Sequence, residues 1–452
     1  MKRFIIPVLA VVLITSLVLT GCRPKPPERP DFPDEMPCGM IVDLSGPNAE
    51  MGKRLSTGAE VAIYQMNEWG GIRNMYSMKL DLIVADDGGS ATQAAAEAER
   101  LINEEGVIFL MGAWPTAMAI AEVAEEYEVP FICPLDLEPI TDQGFHYTFR
   151  TTSSAEELAA QVVDAMTESA SEAGLTPPES CYLMYVPDAQ GTAVAEAFKE
   201  SAAAAGIDIV GEAATENTLT SFAPQLADAE ALAPDLLFTC NYLEGSIALY
   251  QEVLDRDINF PYGVYSWGWG TEDPLFYEAL PLEAYNYGFV HEAGDPLAER
   301  RIYYDWINDE VRARIDEDWN NPEIATPYHA VWLVKEALER MVSLGQSLPG
   351  QQAEIAFSLE LGPFRNYLQL SLAKLDINRS IVEKVQLPEG WVFLPALDVL
   401  RFERFKFDDT GQNIYATGMI SQNIDGVRWP MFPTDEREDD SPSIVLPIPA
   451  RD

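Results

Sequence analysis

Short apolar runs alternate along most of this chain with stretches whose apolar residues return every three or four positions. The first pairing sets the pattern. Ile41, Val42 and Leu44 read as a strand, Ser45-Gly46-Pro47 breaks it, and from Leu55 onward Ala59, Ala62, Ile63 and Met66 share one helical face until Gly70-Gly71 stops the helix. Strands follow at 80–85, 107–111 and 129–133, with helices at 92–103 and 117–127 between them and a crossover at 147–150. A second series repeats the plan: helices at 155–170, 192–205 and 246–254, strands at 181–186, 207–211, 236–240 and 262–266. Beyond it, 287–290 reads as a strand returning to the first lobe, 296–315 and 327–344 as helices, and 404–407 with 415–420 as a hairpin around Asp408-Asp409-Thr410-Gly411. Strands and helices alternating at intervals of about thirty residues predict an α/β protein of two doubly wound, parallel-sheet lobes.

The amino terminus changes the picture first. Lys2 and Arg3 precede an apolar run at 4–19, short for a bilayer span and suited to a secretory signal over 1–21. Leu19-Thr20-Gly21-Cys22 resembles the bacterial lipobox, which makes Cys22 the expected lipidation site and membrane contact a matter of the lipid anchor only. Residues 22–37 are proline-rich and poor in apolar side chains, so they read as an extended tether, with the folded body starting near Cys38.

Charge comes next. With 73 acidic and 29 basic residues the formal charge is -44, which argues against nucleic acid or an anionic membrane surface as partner. A solvated acidic surface suits high salt, where screening removes self-repulsion, and predicts stability that drops in low-salt buffer. Besides Cys22 there are Cys38, Cys133, Cys181 and Cys240; Cys133 and Cys240 end apolar runs, so buried free thiols compete with disulfides as the reading.

One order of elements is specific. Gly46-Pro47, Gly52, Gly58-Ala59, Asn67, Gly70-Gly71-Ile72, Asp86-Asp87, Val129-Pro130, Ile140-Thr141-Asp142 and Phe149-Arg150-Thr151 together resemble the type I periplasmic-binding-protein family, the leucine/isoleucine/valine-binding and related solute receptors of ABC transporters. The resemblance covers about 38–345 and resumes at 405–433. It implies two lobes joined by a three-crossing hinge and closing on a small molecule: 38–152 with about 286–345 as the N-terminal lobe, 153–285 with about 346–449 as the C-terminal lobe. The stretch 348–401 has no clear counterpart. Implied partners are a membrane permease with its ATPase or, as the alternative, a signalling receptor that reads a sensory lipoprotein.

A hinged receptor takes its ligand between the strand-edge loops of both lobes. On one side the candidates are Ser45, Met51, Trp114, Thr116 and Leu135, Asp136 and Leu137; on the other, Gln190, Tyr242, Ser266 and Trp267. Thr116 is either a plain N-cap or, with the helical amides behind it, a holder of a ligand carboxylate, as a family Ser/Thr is there. Where the family carries an acid for an α-ammonium, this chain has Ser266 or Trp267. A free α-amino acid therefore fits only if Asp136 supplies the missing charge; otherwise the ligand is an uncharged or aromatic-bearing carboxylate or amide. Enzyme chemistry has little to stand on: there is no GxGxxG, Walker A or HExxH pattern and hence no cofactor or metal signature, Tyr265-Ser266-Trp267-Gly268 lacks the first glycine of a nucleophile elbow, and His146, His291 and His329 are scattered. Asp86-Asp87-Gly88-Gly89 and Asp408-Asp409-Thr410-Gly411 read as acidic turns before calcium loops.

Overall fold

The computed structural model describes residues 34–134, 140–216, 219–292, 304–317, 321–347, 361–378, 382–387, 390–395, 404–413, 419–432 and 441–449. Cys22, the tether up to 33 and Leu135, Asp136 and Leu137 lie outside the described residues. Among the described residues no helix is long and apolar enough to cross a membrane.

The first lobe is built by β1 (Glu35–Val42), α1 (Ala49–Glu68), β2 (Lys79–Asp86), α2 (Ala91–Arg100), β3 (Leu110–Gly112), α3 (Ala117–Glu126), β4 (Phe131–Cys133) and β5 (Thr148–Arg150). Its five strands run parallel in the order β2-β1-β3-β4-β5. Cys38, Met40 and Ile41 of β1 are fully buried because helices cover both faces of the sheet, as all-parallel sheets require. The strand starts at Glu35, earlier than composition indicates: Glu35, Met36 and Pro37 pair with Lys79, Leu80 and Asp81, and ladder pairing overrides the polar, proline-bearing sequence.

The second lobe takes α4 (Ala155–Glu172), β6 (Ser180–Tyr185), α5 (Ala189–Ala205), β7 (Asp208–Ala214), α6 (Ala223–Leu232), β8 (Leu236–Cys240), α7 (Leu243–Asp255), β9 (Val264–Trp267), the short helices α8 (Gly268–Thr271), α9 (Pro274–Ala279) and α10 (Leu282–Tyr285), and β10 (Phe289–Glu292). α4 opens on a capping box: the Ser154 hydroxyl accepts from the Glu157 N–H at 3.1 Å and the Glu157 carboxylate accepts from the Ser154 N–H at 2.9 Å.

The chain then returns to the first lobe with α11 (Tyr304–Arg312) and α12 (Pro322–Ser347). α12 lies along α1, so close at Gly58 that a Cβ there would sit 2.0 Å from the Ile324 carbonyl; the Tyr328 hydroxyl donates to Gln65 Oε1 at 2.8 Å. After α13 (Leu361–Ala373), β11 (Asp376–Asn378), β12 (Val382–Leu387), β13 (Gly390–Pro395) and β14 (Arg404–Lys406), the chain re-enters the second lobe as β15 (Met419–Ile424) and β16 (Val427–Phe432). That sheet has seven strands in the order β16-β15-β10-β9-β8-β6-β7, the β15–β16 hairpin running antiparallel on its edge.

Two expectations change and one is met in part. The strand expected at 287–290 does not return to the first lobe: β10 pairs parallel with β9 and antiparallel with β15 inside the second sheet. The Asp408 turn forms, its carboxylate accepting from Thr410 and Gln412 amides, and it closes an antiparallel bridge between Phe407 and Asn413. Residues 414–418, most of the expected second strand, lie outside the described residues; β14 pairs with β11, and 419–420 open β15, which pairs with β16. The third concerns α13, which packs on the first lobe and not the second. Its buried Arg365 donates to the Ile102 carbonyl at 3.3 Å, an orphan acceptor in the last turn of the helix at Leu101–Glu105, and to the Val107 carbonyl just beyond that helix at 2.7 and 2.9 Å. Tyr147 donates to Asn366, and Ser371 to the Ala337 carbonyl.

Candidate functional site

Both lobes end their first strand in the same construction. In the first, β1 leads through Asp43 and Ser45-Gly46-Pro47 into α1, and Gly52 in the helix's first turn lies so low on the strand that a Cβ would be 1.8 Å from the Asp43 carbonyl. In the second, β6 leads through Val186 and Asp188 into α5, and a Cβ on Gly191 would be 2.0 Å from the Val186 carbonyl. Only glycine allows either helix N-terminus to reach the carboxyl edge of its sheet, where open α/β folds place ligands. An aspartate braces each loop. Asp43 accepts from the amides of Gly46 at 2.5 Å and Asn48 at 2.8 Å; Asp188 caps α5 by accepting from Gly191 at 2.7 Å.

On the first-lobe edge, carboxylates crowd together. Oxygens of Asp43, Asp86 and Asp87 lie within 4.8 Å of one another, the one such acidic group among the described residues. Each is already supplied with donors: Asp86 by the Leu44 and Gly88 amides, Asp87 by the Gly89 amide at 2.8 Å and the Thr116 hydroxyl at 2.6 Å. The Ser45 hydroxyl, foremost, and these amides hold the Asp86 carboxyl low, while burial pushes that of Asp87 up against the pull of Thr116 and Gly89. A cation here would have to displace donors that brace the loops. Ser45 is exposed, Met51 and Trp114 are half-buried, and Trp114 precedes a cis peptide at Pro115. Thr116 sits at the N-cap position of α3, but its side chain does not cap the helix: the proton goes to Asp87, and the residue is 3 % exposed.

The second-lobe edge is aromatic. Tyr242, half-buried at the start of α7, donates its hydroxyl to Asp188 Oδ2 at 2.6 Å and stacks on Trp269 at 5.1 Å and 11°. Burial, then the Asp188 hydrogen bond, pushes the phenol's pKa up, so Tyr242 is a fixed donor to Asp188. Trp269 meets Trp267 edge-on at 6.4 Å, and Trp267 stacks on His291 at 4.7 Å. The structure thus brings Tyr242 and Trp267 into one ring cluster at the carboxyl ends of β8, β9 and β10. It sets Ser266 apart: that side chain is buried within β9 and hydrogen-bonded to the Tyr250 hydroxyl. Gln190, one residue before Gly191, is buried too.

Sequence reasoning missed Asp188 and Trp269. Asp188 was legible as an N-cap three residues ahead of Gly191, and Trp269 carried only a neighbourly signal, the second aromatic after a strand. All four cysteines of the body are buried and outside any disulfide; burial pushes the thiols of Cys38, Cys181 and Cys240 up, so they pack as small apolar groups.

Two sheet lobes, each presenting a helix N-terminus and loop side chains at its strand ends, define a two-lobed α/β binding protein. Residues 35–356 match the family model described as periplasmic binding protein, and the chain belongs to that family, one of binding proteins and not of enzymes. Among curated relatives, Leu/Ile/Val-binding protein homolog 8 of Brucella abortus (strain 2308) is 26% identical over 221 residues, 47% of this chain and 53% of the relative. The chain thus spans about half the length of the curated relatives it matches. Solved structures share the fold. The leucine binding protein LivK from Thermotoga maritima superposes with a TM-score of 0.61 at 16% identity, covering 87% of this chain and 97% of that one. A Rhodopseudomonas palustris solute binding protein in complex with benzoate gives 0.61 at 16%, covering 88% and 95%. LivJ from Streptococcus pneumoniae in complex with isoleucine gives 0.61 at 16%, covering 87% and 97%.

Proposed function

We propose that this chain is the extracytoplasmic receptor of an ABC transporter, held to the outer face of the membrane by lipid on Cys22, and that it captures a small planar acid or amide between its lobes for delivery to a permease with its ATPase. The observation that carries the ligand class is the wall of Tyr242 on Trp269, with the phenol fixed by Asp188. A flat apolar body stacks on such a wall at little entropic cost, because the rings are already locked. Ser45, Met51, Trp114 and the amides at the start of α3 face it from the other lobe in this reading; the Thr116 proton is spent on Asp87, so its oxygen can accept from a ligand amide and gives a ligand carboxylate no donor. By the family resemblance the acid that would pair an ammonium is replaced by Ser266 or Trp267; Ser266 is turned into β9 toward Tyr250, so in this reading uncharged Trp267 takes that place, which favours an aromatic acid or amide over an α-amino acid. Asp136 reverses that preference if it faces the ligand.

A thermal-shift panel of benzoate, 3,4-dihydroxybenzoate, benzamide, leucine and isoleucine tests this. A ligand at 100 times its Kd adds about 2.7 kcal/mol of stability, easily read as a shift in Tm. The expected outcome is a shift with the aromatic compounds that exceeds any with the aliphatic amino acids and disappears in Trp269→Ala. The reverse ranking would make the chain an amino-acid receptor and remove the wall from the site. For the anchor, Cys22→Ala is expected to move the protein from the membrane fraction to the soluble extracytoplasmic fraction.

A further inference from the structure

Two passages of the chain between the lobes run side by side. Arg150, the last residue of β5, donates its N–H to the Gly411 carbonyl at 2.9 Å and accepts at its own carbonyl from Asn413 at 3.1 Å. Gly411 makes this approach possible: its φ is +83°, and a Cβ there would lie 2.0 Å from the Thr148 carbonyl. Side chains continue the ladder past the end of the strand. Asn413 Nδ2 donates to the Thr151 carbonyl at 3.0 Å and Gln412 Nε2 to the Thr152 carbonyl at 2.9 Å. The outgoing segment 151–154 and the segment 407–413 are therefore tied into one rod.

The Gln412 carboxamide does more than tie backbone. Its oxygen accepts from Arg150 Nε at 2.6 Å, while its nitrogen also donates to Glu157 Oε2 at 3.1 Å in the first turn of α4. Arg150 reaches back into the first lobe, donating from Nη2 to Thr141 Oγ1 at 3.2 Å. Arg150, Gln412 and Asn413 are 2 %, 7 % and 0 % exposed. A neutral amide thus stands between a buried cation of one lobe and a half-buried anion of the other, bonded to both.

We infer that Gln412 is a hinge-positioning residue, whose carboxamide couples Arg150 of the first lobe to Glu157 of the second and sets the angle between them. A hydrogen-bonded spacer in a low-dielectric site is stiff, because losing either partner leaves a buried polar group unsatisfied. Without it, Arg150 and Glu157 attract across a gap with no fixed geometry, and the lobes sample a wider range of angles. A glutamate in its place keeps the shape. When protonated, its single O–H replaces the amide's bond to Glu157, whose own carboxyl burial holds high, while the bond to the Thr152 carbonyl is lost; when ionised it repels Glu157 and Asp408 and keeps only Arg150. The charged groups facing the position are Arg150 from β5, Glu157 from α4 and Asp408 from the turn that carries Gln412.

The test uses the full chain without any ligand, so its outcome is independent of the transport reading. Spin labels on Glu122→Cys in α3 and Glu200→Cys in α5, both exposed and one on each lobe, report the interlobe distance distribution by pulsed dipolar spectroscopy in a Cys22→Ser background. With Gln412 present the expected distribution is narrow at both about pH 7.5 and about pH 4.5. Gln412→Ala is expected to at least double its width at both. Gln412→Glu is expected to be broad at the higher pH and to recover the narrow distribution at the lower. Equal widths for all three proteins at both pH values would overturn the inference, even if Tm falls, since a residue that only stabilises does not alter the angle. If Gln412→Ala does not fold, the pH dependence of Gln412→Glu decides alone.

Discussion

The β1–α1 and β6–α5 units are the same device put to different ends. Each brings a helix down on its strand through a glycine, Gly52 or Gly191, and each braces the loop with an aspartate. Asp43 spends both carboxylate oxygens on backbone amides and so closes its loop on itself. Asp188 gives one oxygen to Gly191 and the other to the phenol of Tyr242, thereby placing an aromatic face at the sheet edge. One lobe keeps its bracing internal, the other exports it. The difference teaches what each edge presents: the first a loop of braced backbone with Met51 and Trp114 beside it, the second a stacked aromatic surface, on which the proposed reading puts selectivity.

The comparison breaks first, and most heavily, at the glycines. Gly52→Ala and Gly191→Ala are each expected to cost about 2–3 kcal/mol, since the methyl must displace backbone. Denaturant unfolding measures both, and a well-tolerated Gly191→Ala would show that the two units are not built alike. Next come the ligand faces. Tyr242→Ala is expected to weaken benzoate binding by about 2 kcal/mol, roughly thirtyfold, against less than 1 kcal/mol for Met51→Ala. Titration calorimetry that ranked them the other way would move selectivity to the first lobe.

The aspartates sharpen the contrast further. Asp43→Ala should lose about 1 kcal/mol of stability as a loop brace and Asp188→Ala about 1 kcal/mol as a helix cap, but only Asp188→Ala should also weaken benzoate binding, about fivefold, by freeing the Tyr242 ring. If both variants bound benzoate equally well, the Asp188–Tyr242 link would have no part in recognition.

The smallest effect is in pH dependence. Burial holds the Asp87 carboxyl above its ordinary 3.8. A group with a raised folded-state pKa contributes fully below its unfolded value, and the contribution is lost as pH climbs through the folded value. Asp87→Asn removes that loss, so the variant's Tm should gain on the wild type by a few degrees between about pH 4 and pH 7. A difference that stays constant with pH would mean that Asp87 ionises as freely in the native state as in the unfolded one. Asp86, held low chiefly by Ser45, works in the opposite sense.

Much of this was legible from local pattern. The glycine pair that ends α1, the Asp86-Asp87 turn and the alternation of strand and helix follow from conformational freedom and apolar spacing, which act within a few residues. Buried thiols outside disulfides were legible as well, as one of two open readings, because Cys133 and Cys240 close apolar strands. Other features depend on partners far along the chain. Nothing near Arg365 announces that it will satisfy carbonyls at 102 and 107, and nothing near Tyr242 says its hydroxyl belongs to Asp188.

By itself the sequence determined the α/β class, the two series of strands and helices, the glycine loops at the strand ends and the sign of the surface. These are set by periodicity, backbone freedom and composition, all of which are local or additive. Tertiary structure alone decided that β10 joins the second sheet, that α13 lies on the first lobe, that Thr116 gives its proton to Asp87, and that Tyr242 and Trp269 stack into a wall. Each is a choice among partners distant in sequence, settled by which pairing leaves the fewest buried polar groups unsatisfied and the most apolar surface covered.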